Sequence, residues 1–488
     1  MINIKNKKTT IIITLFLISI ACLICALSVN PNDYWWHIKA GEYIVTNKTI
    51  PFTDVFSWFG VQEGLYWYSH EWLTAVLLFI ISPIKNSWFW FTLACSIGLL
   101  ISLYLFNKKH YDNNIVLTLL WFGFGAWLLK GSLSPRPHMI SFLLLATTLY
   151  LLFDLKSNEN SKKIWLLPIV SILWSNFHGG SSNLPYVLTF IILITGLFEF
   201  KIGKIRGLKL TNLQKKKYLI VSLICIGVIA INPHGIDMIT YPYINMNDTL
   251  MLNVIAEWRS PDLKISSDLI LYIAMAIPVL LLFIREKEVD FTDFTLIGAF
   301  VYLSCKSVRF SILLFIVSTF IVCKYCNEVT FENVPFIDKF KKYKDIIQNS
   351  FLSLMIVVSV FAISIFTYGY FILDITEDFV APIVSDEIID VIKEENPKRL
   401  YNDYNYGGYL IYNEIPVFVD GRADMYSGHN LEDVFIIDYY AKQEVIDKYD
   451  FDMFLVSSES AISNYLSNNS DYEKLISDEK SVVYKEIN

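Results

Sequence analysis

The chain has 488 residues, 54% hydrophobic, 16% aromatic and only 18% charged, with a formal net charge of −7. Its apolar residues come in long runs and its mean hydropathy is +0.44, which excludes an ordinary soluble globular protein and points to a polytopic α-helical membrane protein. No basic cluster suited to nucleic acid is present, and the net charge averages lysine-rich loops with an acidic tail.

Lys5, Lys7 and Lys8 precede the first apolar run, IIITLFLISIACLICALSV, whose length favours a retained helix over a signal peptide cleaved near Ala26. Hydropathy predicts about 11 spans: 10–29, 88–106, 115–130, 138–154, 164–176, 183–200, 218–232, 267–284, 291–305, 309–324 and 350–372. The shorter stretch HEWLTAVLLFIIS (70–82) follows a polar loop and is read as a helix lying at the membrane interface. With the N-terminus in the cytoplasm, the inner loops NKKH, KSNENSKK, KIGKIRGLKLTNLQKKK, REKE and KFKKYK hold most of the lysine, as the positive-inside rule requires. Counting 70–82 as a span would invert every later loop. The protein is therefore expected in the plasma membrane, with the 30–87 loop, the 233–266 loop and everything after about 373 outside. Cys22, Cys25, Cys95 and Cys225 lie in apolar runs, and the CKYC pair at 323–326 has no second pair at zinc-site spacing.

The outer loops read NDYWWH, TDVFSW, SHEW, SPRPH, SNFHGG, NPHG, AEWRSP and CKSVR. They place His37, His70, His138, His178 and His234 at outer helix ends, while His110 is cytoplasmic and His429 lies in the tail. Taken singly, each has a bland explanation: an interfacial tryptophan belt, a histidine cap, or snorkelling by Arg136 and Arg309. Taken together, they mix His, Arg, Asp and Glu with Gly and Pro on one side only. That asymmetry suggests a polar extracytoplasmic cavity at the ends of many helices. The tail alternates helices with short apolar strands, KRLYND, PVFVDGR, FDMFLVS, DYEKLI and SVVYKEI, and is read as an extracytoplasmic α/β domain over 373–488. In it Asp420 and Arg422 follow the PVFVD segment, either as a functional loop or as a local ion pair. The expected division is a transmembrane domain at 1–372, carrying the first outer loop 30–87, and this tail.

A long first outer loop with an acid near its start, many spans and an outer α/β tail together resemble the GT-C superfamily of membrane glycosyltransferases. The motifs D-x-W-W-H, P-x-x-D-x-F-S, H-E-W, N-x-H-G and G-G-Y-L…D-G-R, all present in order, resemble a prokaryotic multi-pass group of predicted glycosyltransferase-like proteins. The resemblance implies sugar transfer from a polyprenyl-phosphate donor to a glycan, lipid or protein acceptor on the outer face. It implies Asp33 as the catalytic residue and SHEWLTAVLLFIIS as an interfacial helix. YNDYNYGGYL is similar to the Trp-Trp-Asp-Tyr-Gly motif of oligosaccharyltransferases, which would give Asp403 an acceptor-binding role, although Tyr401 and Asn402 replace the tryptophans and Asn405 interrupts the motif.

Such a transfer needs a base, for which Asp33 is the candidate, and cations for the departing phosphate, for which Arg136, Lys306 and Arg309 are the candidates. Trp35 and Trp36 are candidates for holding the sugar. Asp54, Glu71 and Glu257, with Arg259 and the outer histidines, are candidates for supporting roles. A divalent cation, Mg or Mn, is left open because no recognised ligand spacing is present. One enzyme alternative is a polysaccharide polymerase or ligase, but the acid in loop one and the large tail argue against it. A transporter or flippase would carry mid-membrane charges, which are few here. A non-catalytic scaffold of the same fold is the third alternative.

Overall fold

The computed structural model describes residues 7–27, 32–107, 121–125, 128, 132–284, 288–326, 354–362, 364 and 384–487. The chain forms two compact units. The first comprises Met1–Val29, Phe89–Pro242 and Ala256–Ile375; the second comprises Asn30–Trp88, Tyr243–Ile255 and Thr376–Asn488. By packing, the first loop thus groups with the C-terminal residues.

The first unit is helical. Among the described residues, four helices are long and apolar enough to cross a membrane: Ser87–Phe106, His138–Ser157, Ser266–Ile284 and Val308–Tyr325. The expected spans 115–130 and 350–372 lie largely outside the described residues. Two other expected spans are short helices. Leu167–Phe177 has 11 residues and starts on a proline in its first turn, where the missing N–H costs nothing. Leu184–Thr195 has 12 residues, also starts on a proline, and ends at Gly196. The expected span 218–232 belongs to a helix, Asn212–Ile229, that begins earlier. Thr211 accepts from the Gln214 amide at 3.2 Å while Gln214 accepts from the Thr211 amide at 2.9 Å. This capping box draws Lys215, Lys216 and Lys217 into the helix. The lysine-rich KIGKIRG segment, read from sequence as part of an inner loop, is a hairpin. Strand β1 (Phe200–Ile202) pairs antiparallel with β2 (Ile205–Gly207), which pairs parallel with β3 (Val289–Asp290).

In the second unit, helix Asn32–Asn47 packs against helix Trp72–Ile81 and helix Gly407–Tyr412. Ten residues make Trp72–Ile81 too short to span. A four-stranded mixed sheet runs in the order β4 (Leu400–Asn402), β5 (Met453–Ser457), β7 (Ser481–Glu486), β6 (Tyr472–Ser477). β4 and β5 are parallel and the other pairs antiparallel. Met453 to Val456 are all buried, as a continuous apolar strand should be. The expected strand at PVFVD is absent. The Asn402 side chain accepts from the Phe418 amide at 2.8 Å and donates to the Val419 carbonyl at 2.8 Å, while the Trp58 amide donates to the Val417 carbonyl at 2.9 Å. With its backbone groups satisfied this way, the segment makes only one bridge, from Val417 to Ser57. Phe418 lies at the centre of a buried aromatic cluster with Trp58, Tyr401, Tyr449 and Phe451, and thereby joins the first loop to the tail.

Candidate active site

Asp33 lies in the first turn of helix Asn32–Asn47, where unpaired amides and the helix dipole favour a carboxylate. The buried Trp36 indole donates to Asp33 Oδ1 at 3.3 Å. From the tail, Gly421 lies against the same oxygen so closely that a Cβ at this position would overlap it. Gly408, from G-G-Y-L, makes a similar close approach to the Asn32 carbonyl. D-x-W-W-H, G-G-Y-L and D-G-R therefore meet at the turn that carries Asp33, with Gly421 and Trp36 against its carboxylate.

Arg422 fixes Gly421 in this position. Its guanidinium is buried and donates to Asp420 Oδ1 at 2.8 Å and Oδ2 at 2.6 Å, and to Asp54 Oδ1 at 2.7 Å across 368 residues of sequence. Its guanidinium carbon lies 4.6 Å from the centre of the Trp67 ring, and Tyr426 donates to Asp420 at 2.6 Å. Asp54 also accepts from the Phe56 amide at 3.0 Å, the Ser57 amide at 3.2 Å and the Ser57 hydroxyl. The Asp420–Arg422 pair is therefore not merely local; with Asp54 it forms a buried clamp between loop and tail.

On the other side of Trp36, the buried His37 ring lies 3.7 Å away, centre to centre. Its Nε2 is 3.4 Å from Glu71, whose second oxygen is 3.2 Å from His70 Nε2. His70 also contacts the Tyr68 carbonyl through Nδ1 at 3.0 Å. Burial opposes charge on His70, but Glu71 outweighs it and raises the imidazole above its ordinary value. Trp35 packs on Tyr412 and Tyr409, at 4.9 and 5.3 Å between ring centres. Asp403 accepts from the Asn405 amide at 2.8 Å in a tight turn, and burial raises its pKa. Asp438 accepts from the buried Tyr401 hydroxyl at 2.7 Å, and burial together with the charge of Asp403 raises it to about 7.

The first unit holds its own polar cluster. Arg136 pairs with Glu257 at 2.5 Å; the arginine, assisted against burial by Arg309 and His138, lowers that carboxyl to about 2. Arg309 lies over the Trp258 ring at 4.9 Å and reaches His178 Nε2 at 3.5 Å. His178 Nδ1 contacts the Ser141 hydroxyl at 2.7 Å, and the Trp174 indole donates to the same hydroxyl at 2.9 Å, which fixes the imidazole plane. His138 contacts the Ser132 carbonyl at 2.7 Å, and the His234 amide donates to Asn232 at 3.0 Å in a turn. Arg259 is bidentate to Asp268, at 2.5 and 2.9 Å. Lys306 ends helix Phe291–Lys306, and its carbonyl accepts from Ser260 at 3.1 Å.

Sequence reasoning missed Gly408 and Gly421 as close neighbours of the Asp33 turn, and Asp438 as a perturbed carboxyl. The glycines were visible inside their motifs, but glycine carries no chemistry that marks it as a neighbour of an acid. Asp438 had no signal beyond its place on a helix.

In the second unit the first-loop acid lies against residues of the C-terminal tail, and the chain shares its fold with solved oligosaccharyltransferase structures. Two structures of the Archaeoglobus fulgidus oligosaccharyltransferase share it. The form tethered through a disulfide bond to an acceptor peptide containing the NVT sequon has a TM-score of 0.55 at 12% identity, over 91% of this chain and 69% of that one. The form with an inhibitory peptide and a dolichol-phosphate, named AglB, has a TM-score of 0.50 at 10% identity, over 93% and 70%. No protein-family model and no curated protein matches the chain. At this identity the likeness establishes the fold, and the resemblance to the GT-C superfamily read from the motifs holds at that level.

Proposed function

We propose that the protein is a membrane glycosyltransferase that moves a sugar from a polyprenyl-phosphate-linked donor to an acceptor hydroxyl or amide on the outer face, with Asp33 as the base. The observation that carries this reading is the convergence of widely separated motifs on the Asp33 carboxylate. A solvated surface acid would need neither a glycine packed against it nor an arginine clamp holding that glycine.

In this mechanism Asp33 takes the proton from the acceptor as the acceptor atom bonds to the anomeric carbon. The bond from that carbon to the phosphate oxygen breaks, and the electron pair leaves with the phosphate. Arg136, Lys306 and Arg309 are assigned to the charge that develops there; the guanidinium of Arg309, held beside His178, is suited to bidentate phosphate contact. A single in-line displacement inverts the anomeric centre. Glu71 and His70 are the residues that would hold a divalent cation, and their mixed oxygen and nitrogen donors fit Mn better than Mg, which favours oxygen. Such an ion would supply further charge neutralisation at the phosphate.

The test is transfer of radiolabelled sugar from polyprenyl-phosphate donors in membranes carrying wild type or Asp33→Asn at equal abundance. Loss of turnover with Asp33→Asn is expected. Equal turnover would remove Asp33 from the chemistry.

A further inference from the structure

A half-open cleft of about 300 Å³ in the second unit takes no part in the mechanism above. Its aromatic lining comes from Trp58 and Phe59, at the start of the short helix Trp58–Glu63, and from Tyr449. The Trp58 ring is fixed in place: one contact stacks it on Phe418 at 5.4 Å and 25°, and its indole nitrogen donates to the Leu400 carbonyl at 3.0 Å. Gln62, Glu63, His429, Arg399 and Lys448 complete the lining; the Arg399 guanidinium lies over the Trp58 ring at 5.9 Å and the Lys448 ammonium over the Tyr449 ring at 5.1 Å.

We propose that this cleft binds a neutral oligosaccharide. An aromatic face beside side chains that both donate and accept is the chemistry that holds a pyranose: Phe59, whose ring contacts are edge-on, takes its C–H face and the polar groups, the two ring-mounted cations among them, its hydroxyls. The volume is at the small end for a ligand site, about 300–1,000 Å³, which suits one or two sugar rings. An anionic ligand is disfavoured because both cations are already matched. Arg399 pairs with Asp450 at 3.0 Å, Lys448 pairs with Asp433 at 2.7 Å, and Glu63 adds a negative charge to the lining. The cleft is also mechanically tied to the Asp33 site, since its helix is capped by Ser57, which bonds to Asp54 of the arginine clamp. A sugar held there would be a distal part of a glycan substrate or a bound product.

The experiment is saturation-transfer NMR on the full chain, purified in a detergent without a sugar headgroup, with chitotriose and maltotriose as neutral probes and trigalacturonate as the acidic one. Transfer to ring protons of at least one neutral probe is expected. It should fall at least fivefold in Phe59→Ala and in the double variant Gln62→Ala/Glu63→Ala, both changed at or near the surface and checked for unaltered melting. Asp33→Asn should leave it unchanged, so failure of the cleft and failure of the transferase reading are separable. No transfer to either neutral probe, transfer that survives both cleft variants, or preference for trigalacturonate would overturn the proposal.

Discussion

Removing the arginine of the buried clamp should separate loop from tail. In Arg422→Met, Asp54 and Asp420 would both remain buried, and three charge-assisted hydrogen bonds of 2.6–2.8 Å would be lost. Breaking a buried pair by deleting one partner costs about 3–5 kcal/mol, because a charge is left uncompensated. For a folding unit of this size, each kcal/mol moves the midpoint by about 2–4 °C, so a drop of roughly 6–20 °C is expected. Differential scanning fluorimetry through the tryptophans of the second unit reads it directly, since Trp67 stacks on the guanidinium itself. Arg422→Lys should fall between the two, because an ammonium cannot serve both carboxylates in the same geometry. The triple variant Asp54→Asn/Asp420→Asn/Arg422→Met should melt above Arg422→Met alone, since it leaves no unpaired charge. Arg422→Met melting within about 2 °C of wild type would refute the clamp.

Gly421→Ala should displace the Asp33 carboxylate and lower turnover by about 100-fold with little loss of stability, the usual cost of misplacing a reacting group by about 1 Å; unchanged turnover in the labelled-sugar assay would count against Asp33. Arg309→Ala should lower turnover by about 10²–10³-fold, and Arg309→Lys should restore little of it; kinetics against donor concentration will separate binding from chemistry. Asp438 has a folded pKa of about 7, above its unfolded value, so the folded state binds more protons between about pH 4 and 7 and stability must fall as pH rises through that window. Asp438→Asn should flatten that slope in melting scans and raise the midpoint at pH 8. Glu257, held at about 2 by Arg136, contributes stability above its unfolded pKa that is lost only as pH falls from about 4 to 2; Arg136→Ala should shift that acid limb upward in proton titration.

The motifs were legible because each packs special residues into a few positions: the acid, tryptophans and histidine of NDYWWH stand out after an apolar run, and hydropathy marks the spanning helices. Helix ends were less legible, since Thr211 and Gln214 start a helix inside a lysine run that hydropathy reads as loop. The missing PVFVD strand was beyond pattern reading altogether. Its run of β-branched and aromatic residues suits a strand, but the Asn402 side chain supplies hydrogen bonds a neighbouring strand would have given. The Asp54–Arg422 bond was hidden for a different reason: both residues sit in turn-forming stretches that explain them locally, and only the folded chain brings them together.

That bond also sets a timetable. Asp54 is synthesised 368 residues ahead of its arginine, and at about 5–20 residues per second the ribosome needs roughly 20–70 s to cover the interval. Throughout it, the first loop carries a carboxylate whose partner does not yet exist, and Asp33 waits with it, lacking the glycine that will close over one side. The surroundings of Asp33 are assembled last, from early and late pieces of the chain. The surroundings of Asp33 cannot be complete before the translation that supplies Gly421 and Arg422, and any stall in between leaves an exposed, unmatched acid for quality control to find.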